Sequence, residues 1–212
     1  MVITTSIHAV MTGDIVNSTA LSAEMEKSLF AAIQQAFSPY LIEFYRGDSF
    51  QVYLEDPAIS LRKALLCRAL TISLTAAEEG PAVSDVRISI GLGAVDEPVR
   101  APGMARGGPF LLSGRGLDEI QKTEQRLRVS SGNTIADIGL QAMADHLDAI
   151  YRDLTPKQAE VIRFLLQGET QQEAAAQLSK SKSTVSQLVA AGSWAEIEKI
   201  LQQFETLIKQ LS

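Results

Sequence analysis

The 212-residue chain holds a single cysteine, Cys67, and only two histidines, His8 and His146. One cysteine forms no internal disulfide, which excludes a small secreted scaffold held by cross-links. Two distant histidines give no zinc-ligand spacing and no basis for a Ser-His-Asp triad. Long hydrophobic runs are also missing. The greasiest stretch, Ala64–Ala77, is interrupted by Arg68, so no membrane span is expected. Met1–Asp14 lacks a basic segment ahead of an apolar block, so no secretory leader is expected, and the expected compartment is a reducing cytoplasm. What remains is a globular balance of 46% hydrophobic and 21% charged residues, which argues against disorder and fibrous repeats. The length fits one large domain or two small ones.

Positive charge is scarce as well. The net charge is -6, and all of it falls in residues 1–150; residues 151–212 carry seven charges of each sign. Neither part attracts polyanions by bulk charge, so nucleic-acid contact in the tail would have to come from local geometry.

Hydrophobic periodicity predicts the order β-α-β-β-α-β-α-β over the first 131 residues. Ser6–Ile15 reads as a buried strand and Ala20–Phe37 as a helix with Met25, Leu29, Ile33 and Ala36 on one face. Tyr40–Tyr45 and Phe50–Leu54 flank Arg46-Gly47-Asp48-Ser49, a hairpin turn. Pro57–Glu79 reads as a helix, Val86–Val95 as a central strand, Pro109–Lys122 as a helix and Gln125–Ser131 as a strand. Gly91 and Gly93 inside the strand mark a close backbone approach rather than a dinucleotide site. Between them and the next helix, Asp96–Gly108 is a Pro/Gly-rich loop whose Arg100 and Arg106 could face an anion or only solvent. The fold class is α+β: a ferredoxin-like sheet with helices on one face, followed by an all-α unit. The expected domains are 1–152 and 153–212, joined by a helix over Thr134–Arg152 with Ile135, Ile138, Met143, Leu147 and Ile150 on one face.

The tail carries the sharpest local signals. Thr155–Gln158 and Thr170–Glu173 are capping boxes, and Gly168 ends the helix between them. Ser181 can cap a further helix to Ala191, and Ser193–Glu196 resembles another capping box opening the last helix. That last helix has Ile197, Leu201, Phe204, Ile208 and Leu211 on a seam suited to its own neighbours or to a second copy. Gln172–Gly192 resembles the helix-turn-helix of bacterial transcription regulators, with small Ala175 at the crossing and Val185 filling the angle. The turn holds Ser179 and Lys180 where the pattern favours glycine and an apolar residue. The candidate DNA-contacting residues are Lys180, Ser181, Lys182, Ser183, Thr184, Ser186 and Gln187. Docking to a protein partner is the other use of such a motif.

Two early carboxylates stand out. Asp14 closes the first strand and Asp48 sits in the hairpin turn, each after a glycine. If strand and hairpin pair, the two acids meet at one edge of the sheet and could hold a magnesium-type ion; otherwise each is a turn aspartate.

The block order resembles the class III nucleotide cyclases, through Asp14-Ile15, Gly47-Asp48, Arg87–Val95 and, weakly, Gly107–Arg115. The resemblance implies Mg or Mn bound by Asp14 and Asp48, and Arg115 against a transferring phosphate. It implies a nucleotide beside Ile15, Asn17, Ser18 and Thr19. The chain departs from the family where Leu111 replaces the ribose-orienting asparagine. Asn17 and Ser18 replace Gly-Phe, and Phe44 stands near the place of the purine-selecting lysine. Over nearly its whole length the chain is similar to the SatD family of bacterial proteins. The shared runs are Gly13–Ser18, Gly108-Pro109-Phe110, Gly114-Arg115 and Thr155–Gln158. These resemblances imply a DNA-binding transcription regulator in which a degenerate cyclase-like domain senses a nucleotide or phosphorylated ligand and forms a homodimer on double-stranded DNA. A metal-dependent cyclase or nucleotidyl transferase and a protein-interaction adaptor are the alternatives.

Overall fold

The computed structural model describes residues 6–18, 21–45, 47–75, 84–95, 99, 102 and 106–211. Five strands form one sheet: β1 (His8–Ile15), β2 (Ile42–Tyr45), β3 (Ser49–Leu54), β4 (Val86–Gly93) and β5 (Leu127–Ser130). Their order is β2-β3-β1-β4-β5, antiparallel except for the parallel β4–β5 pair. With α1 (Ala23–Phe37), α2 (Ser60–Ile72) and α3 (Gly108–Ile120) between strands, the chain follows β1-α1-β2-β3-α2-β4-α3-β5. This is the expected α+β order, and its first six elements run in the ferredoxin-like manner with β1 central.

The sheet has two unlike faces, because side chains alternate along each strand. Ala9, Met11, Phe50, Val52, Ile88, Ile90, Leu127 and Val129 share one face and pack with α1 and α2 in a common core. Burying each large aliphatic or aromatic residue there contributes about 1.5–3 kcal/mol. The opposite face carries Thr12, Asp14, Gln51, Arg87, Ser89 and Gly91. The expectation that helices cover only one face is therefore corrected: α3 lies on this second face. It can do so because the sequence there is small. A Cβ on Gly91 would overlap the Pro109 carbonyl, and one on Gly116 would overlap the Ser89 hydroxyl. Gly91 thus marks the close approach its position in the strand predicts.

The remaining helices are α4 (Thr134–Asp153), α5 (Pro156–Leu166), α6 (Gln171–Gln177), α7 (Lys182–Ala191) and α8 (Trp194–Leu211). The main core continues through them: Leu140 and Leu147 of α4, Ile162 and Leu166 of α5, and Leu201 and Phe204 of α8 join the cluster under α2. A second, smaller cluster joins Val161 and Phe164 of α5 to Ala174 and Ala175 of α6 and to Val185 and Val189 of α7.

Three local expectations change. The helix predicted over Pro57–Glu79 begins with a 3-10 turn at Pro57–Ile59, and α2 itself ends at Ile72. Ser193 adopts φ 54, and its carbonyl rather than its hydroxyl accepts from the Glu196 and Ile197 N–H groups. A capping residue needs extended backbone, so no capping box opens α8 there. In α4 the buried face is Leu140, Ala144, Leu147, Asp148 and Tyr151, whereas Ile135 and Ile138 are exposed. The helix is rotated from its expected phase because Asp148 has a buried arginine to meet.

Candidate functional site

β1 pairs with β3 in the register Asp14↔Ser49, so Asp14 and Asp48 stand at the same end of the sheet on neighbouring strands. The hairpin turn that carries Asp48 is formed by Gly47 in the left-handed region, φ 89. The Ile15 N–H donates to the Asp48 carbonyl at 3.2 Å and ties the two segments together. The two acids therefore stand at one end of the sheet rather than along an edge strand, each carboxylate with its own partners.

Their carboxylates are already engaged. Asp14 is 5% exposed. It accepts from Arg87 Nη1 at 3.1 Å on one oxygen and from Gln121 Nε2 at 2.5 Å on the other. Arg87 is directly opposite Asp14 in the β1–β4 ladder. The Ser18 hydroxyl donates to Asp48 at 2.6 Å. As arranged, the pair does not fit a divalent ion: a guanidinium supplies the positive charge beside Asp14, and among the described residues no third acid, histidine or cysteine joins a cluster. A polar chain runs from this end across the second face, where Gln51 Nε2 donates to Thr12 Oγ1 at 3.1 Å and Thr12 Oγ1 lies 2.8 Å from Ser113 Oγ of α3.

The other nucleotide-site expectations divide. Ile15 is buried in the core, and Asn17 is exposed with φ 54 in the turn that follows β1. Thr19 lies outside the described residues, as does Arg100. Among the described residues no ion pair joins Arg115 to Asp14 or Asp48. Arg115 sits on the exposed side of α3, whose Ser113, Gly116 and Leu117 face the sheet. Leu111 shares the outer side and is also exposed.

In the tail, α6 and α7 are joined by three residues after the α6 cap at Leu178. Ser179 takes the left-handed conformation, φ 52, that glycine adopts more cheaply, and the Lys180 N–H donates to the Ala175 carbonyl at 3.0 Å. Ala175 and Val185 are both buried, as their places in the pattern require. Ser181 caps α7 by accepting from the Thr184 N–H at 3.1 Å, and its hydroxyl lies 2.8 Å from those of Ser183 and Thr184. Lys182, Ser183, Thr184, Ser186 and Gln187 are exposed. Lys180 is not among the free cations, because its ammonium pairs with Glu160 at 3.1 Å. Lys182 reaches back to Gln172 Oε1 at 3.1 Å.

Sequence reasoning missed the tightest polar cluster. Arg68 of α2 is fully buried, with Asp85 at 2.8 Å and Asp148 of α4 at 2.7 Å. Arg126 closes the set against Asp85 at 2.7 Å, and the Arg126 N–H donates to Asp148 at 3.1 Å. Burial opposes the arginine's charge, but the two acids outweigh it and hold the guanidinium above its ordinary range. Tyr151, whose ring centroid is 5.1 Å from the Arg68 guanidinium carbon, is pushed upward by burial, as is the Cys67 thiol. The signal was an arginine inside an apolar helix, which demands buried acids.

The chain matches no protein-family model and no curated protein. Among solved structures it is similar to a bacterial light-regulated adenylyl cyclase at 12% identity and TM-score 0.48, over 59% of this chain and 76% of that one. A second bacterial light-regulated adenylyl cyclase structure gives 12% and 0.45, over 58% and 42%. The guanylyl cyclase Cya2 gives 14% and 0.38, over 53% and 70%. These likenesses are loose, and at such identities no residue's role passes from those proteins to this chain.

Proposed function

We propose that the protein is a DNA-binding regulator that meets the duplex with α7, and that its sheet unit is a degenerate cyclase-like domain serving as a sensor. The observation that carries this reading is the α6–turn–α7 geometry. A left-handed Ser179 turns the chain, Ala175 and Val185 close the angle, and the outer side of α7 is left free. The segment Lys182–Ala191 contains no acidic residue, so nothing on that helix repels phosphate. The capped N-terminus of α7 presents Lys182 with the positive end of the helix dipole, and the exposed hydroxyls and Gln187 can donate to phosphates or base edges. Neutral overall charge in residues 151–212 makes the expected affinity modest.

The enzyme reading has less to support it. Both oxygens of Asp14 are held by protein donors, and Arg115 is on the exposed side of α3. A nucleotide or other phosphate-bearing ligand at the second face would be sensed rather than cyclised.

The test is fluorescence anisotropy with a pool of double-stranded fragments at about 50 mM salt, where phosphate contacts are strong. The expected result is binding at low salt that weakens as salt rises, and that Lys182→Glu weakens at least tenfold with no change in melting temperature. Absence of binding at low salt ends this reading and leaves the protein-docking use of the same motif.

A further inference from the structure

α4 presents an apolar stripe to solvent that its own fold does not use. Ile135 is 84% exposed and Ile138 71%, the most exposed large hydrophobic residues described. Beside them is Gly139, in mid-helix, where an added Cβ would meet open space. Glycine costs about 1 kcal/mol relative to alanine inside a helix, and nothing among the described residues requires it there. The stripe continues through exposed Ala142 and Ala149, so it is bulky toward the N-terminal end and small toward the C-terminal end.

We infer that this stripe is the contact between two copies of the chain, with the α4 helices packed antiparallel about a two-fold axis at Ala142. The proposal does not depend on α7 binding DNA. The sequence is self-complementary about that point. Ile135 and Ala149 lie seven residues to either side of Ala142, and Ile138 and His146 lie four to either side. Turned end for end, Ile135 of one copy meets the small Ala149 of the other, and Ile138 meets the His146 ring across the small pair at Ala142. Ile135 enters a groove of about 340 Å³ walled by His146, Ala149, Ile150, Asp153 and Ser193 of the second copy. The His146 ring faces Ile138 of the second copy, one residue from that copy's Gly139, where the missing side chain gives it room.

Charge complements the same arrangement. Asp153 is exposed at the C-terminal end of α4, an unfavourable place for an acid beside its own helix dipole. Its mirror position about Ala142 falls just ahead of the Asn133 cap, so Asp153 meets the positive N-terminal end of the partner helix. The two helix dipoles also run in opposite directions.

Sedimentation equilibrium of the full chain is expected to show a dimer. Ile138→Glu is expected to weaken it at least tenfold with unchanged helicity and melting temperature, and Gly139→Gln is expected to do the same without adding a charge. Ala142→Cys sits on the proposed axis and is expected to oxidise to a covalent dimer, with buried Cys67 taking no part. A chain that stays monomeric at every concentration overturns the proposal. So does a dimer indifferent to both substitutions, or one that Ala142→Cys fails to cross-link. If the dimer stands while DNA binding fails, only the reading of α7 falls.

Discussion

Arg68 and Arg87 each hold aspartates, but in opposite settings. Arg68 has no exposed surface; its two acids come from the start of β4 and from α4, and Arg126 makes the charges even. Arg87 is about one-fifth exposed and faces Asp14 at the end of the sheet, where water reaches the guanidinium. A buried set of this kind is costly to break, because each remaining charge is stranded in low dielectric. A pair at the rim can be broken and rehydrated. The contrast separates a joint that holds α4 against the sheet from a pair that water can reach at the sheet's end, and only the second lies where the resemblance to cyclases directed attention.

The largest effect expected from this contrast is at the buried joint. Arg68→Met should lower the unfolding free energy by about 3–5 kcal/mol, since Asp85 and Asp148 then share only Arg126. Adding Asp148→Leu should recover much of the loss, because the remaining Asp85–Arg126 pair is neutral as a unit. Chemical denaturation of the two variants measures this directly. A double variant as unstable as Arg68→Met alone would show that the joint acts through packing rather than charge.

Asp14→Asn should cost less, about 1 kcal/mol, because the amide still offers an oxygen and Arg87 turns to water. The same denaturation assay applies. If Asp14→Asn proves as damaging as Arg68→Met, the two sites do not differ in kind and the rim pair is structural.

Why one site was legible and the other was not follows from what patterns record. Alternation in Val86–Gly93 gave β4, and a glycine before each of Asp14 and Asp48 placed them at strand and turn, so their meeting could be foreseen. The engagement of Asp14 by Arg87 was harder to see, since cross-strand pairing needs the register of β1 against β4. In α4, hydrophobic periodicity misplaced the buried face. It counted Ile135 and Ile138 inward and gave Asp148 no weight, whereas burial follows Asp148 to Arg68. The position of α3 was hidden for a related reason: Ser89 and Gly91 read as a weak strand face, and their small size is what admits a helix. In the tail, caps and small residues are local signals, and α5, α6 and α7 fell where Thr155, Thr170 and Ser181 put them. The seam of α8 was legible as a seam but not by partner. It packs into the chain's own core with α2 and α4, which takes Ile197, Leu201, Phe204 and Ile208 away from dimerisation.

The smallest expected difference between the two sites appears in alkali. Burial raises the Cys67 thiol well above its ordinary value, with Asp85 adding to the rise, and Cys67 adjoins Arg68 in α2. In the unfolded chain that thiol ionises from about pH 8.5, while in the folded chain it stays protonated. Its contribution is therefore intact below that pH and declines as pH rises toward the folded value. The decline should appear between pH 7 and pH 9.5. Cys67→Ala should remove that slope whatever it does to absolute stability, whereas Asp14→Asn should leave the slope in place. Urea midpoints at the two pH values measure both. An unchanged slope in Cys67→Ala would mean that the thiol is open to solvent, and that the joint beside Arg68 is less closed than its packing shows.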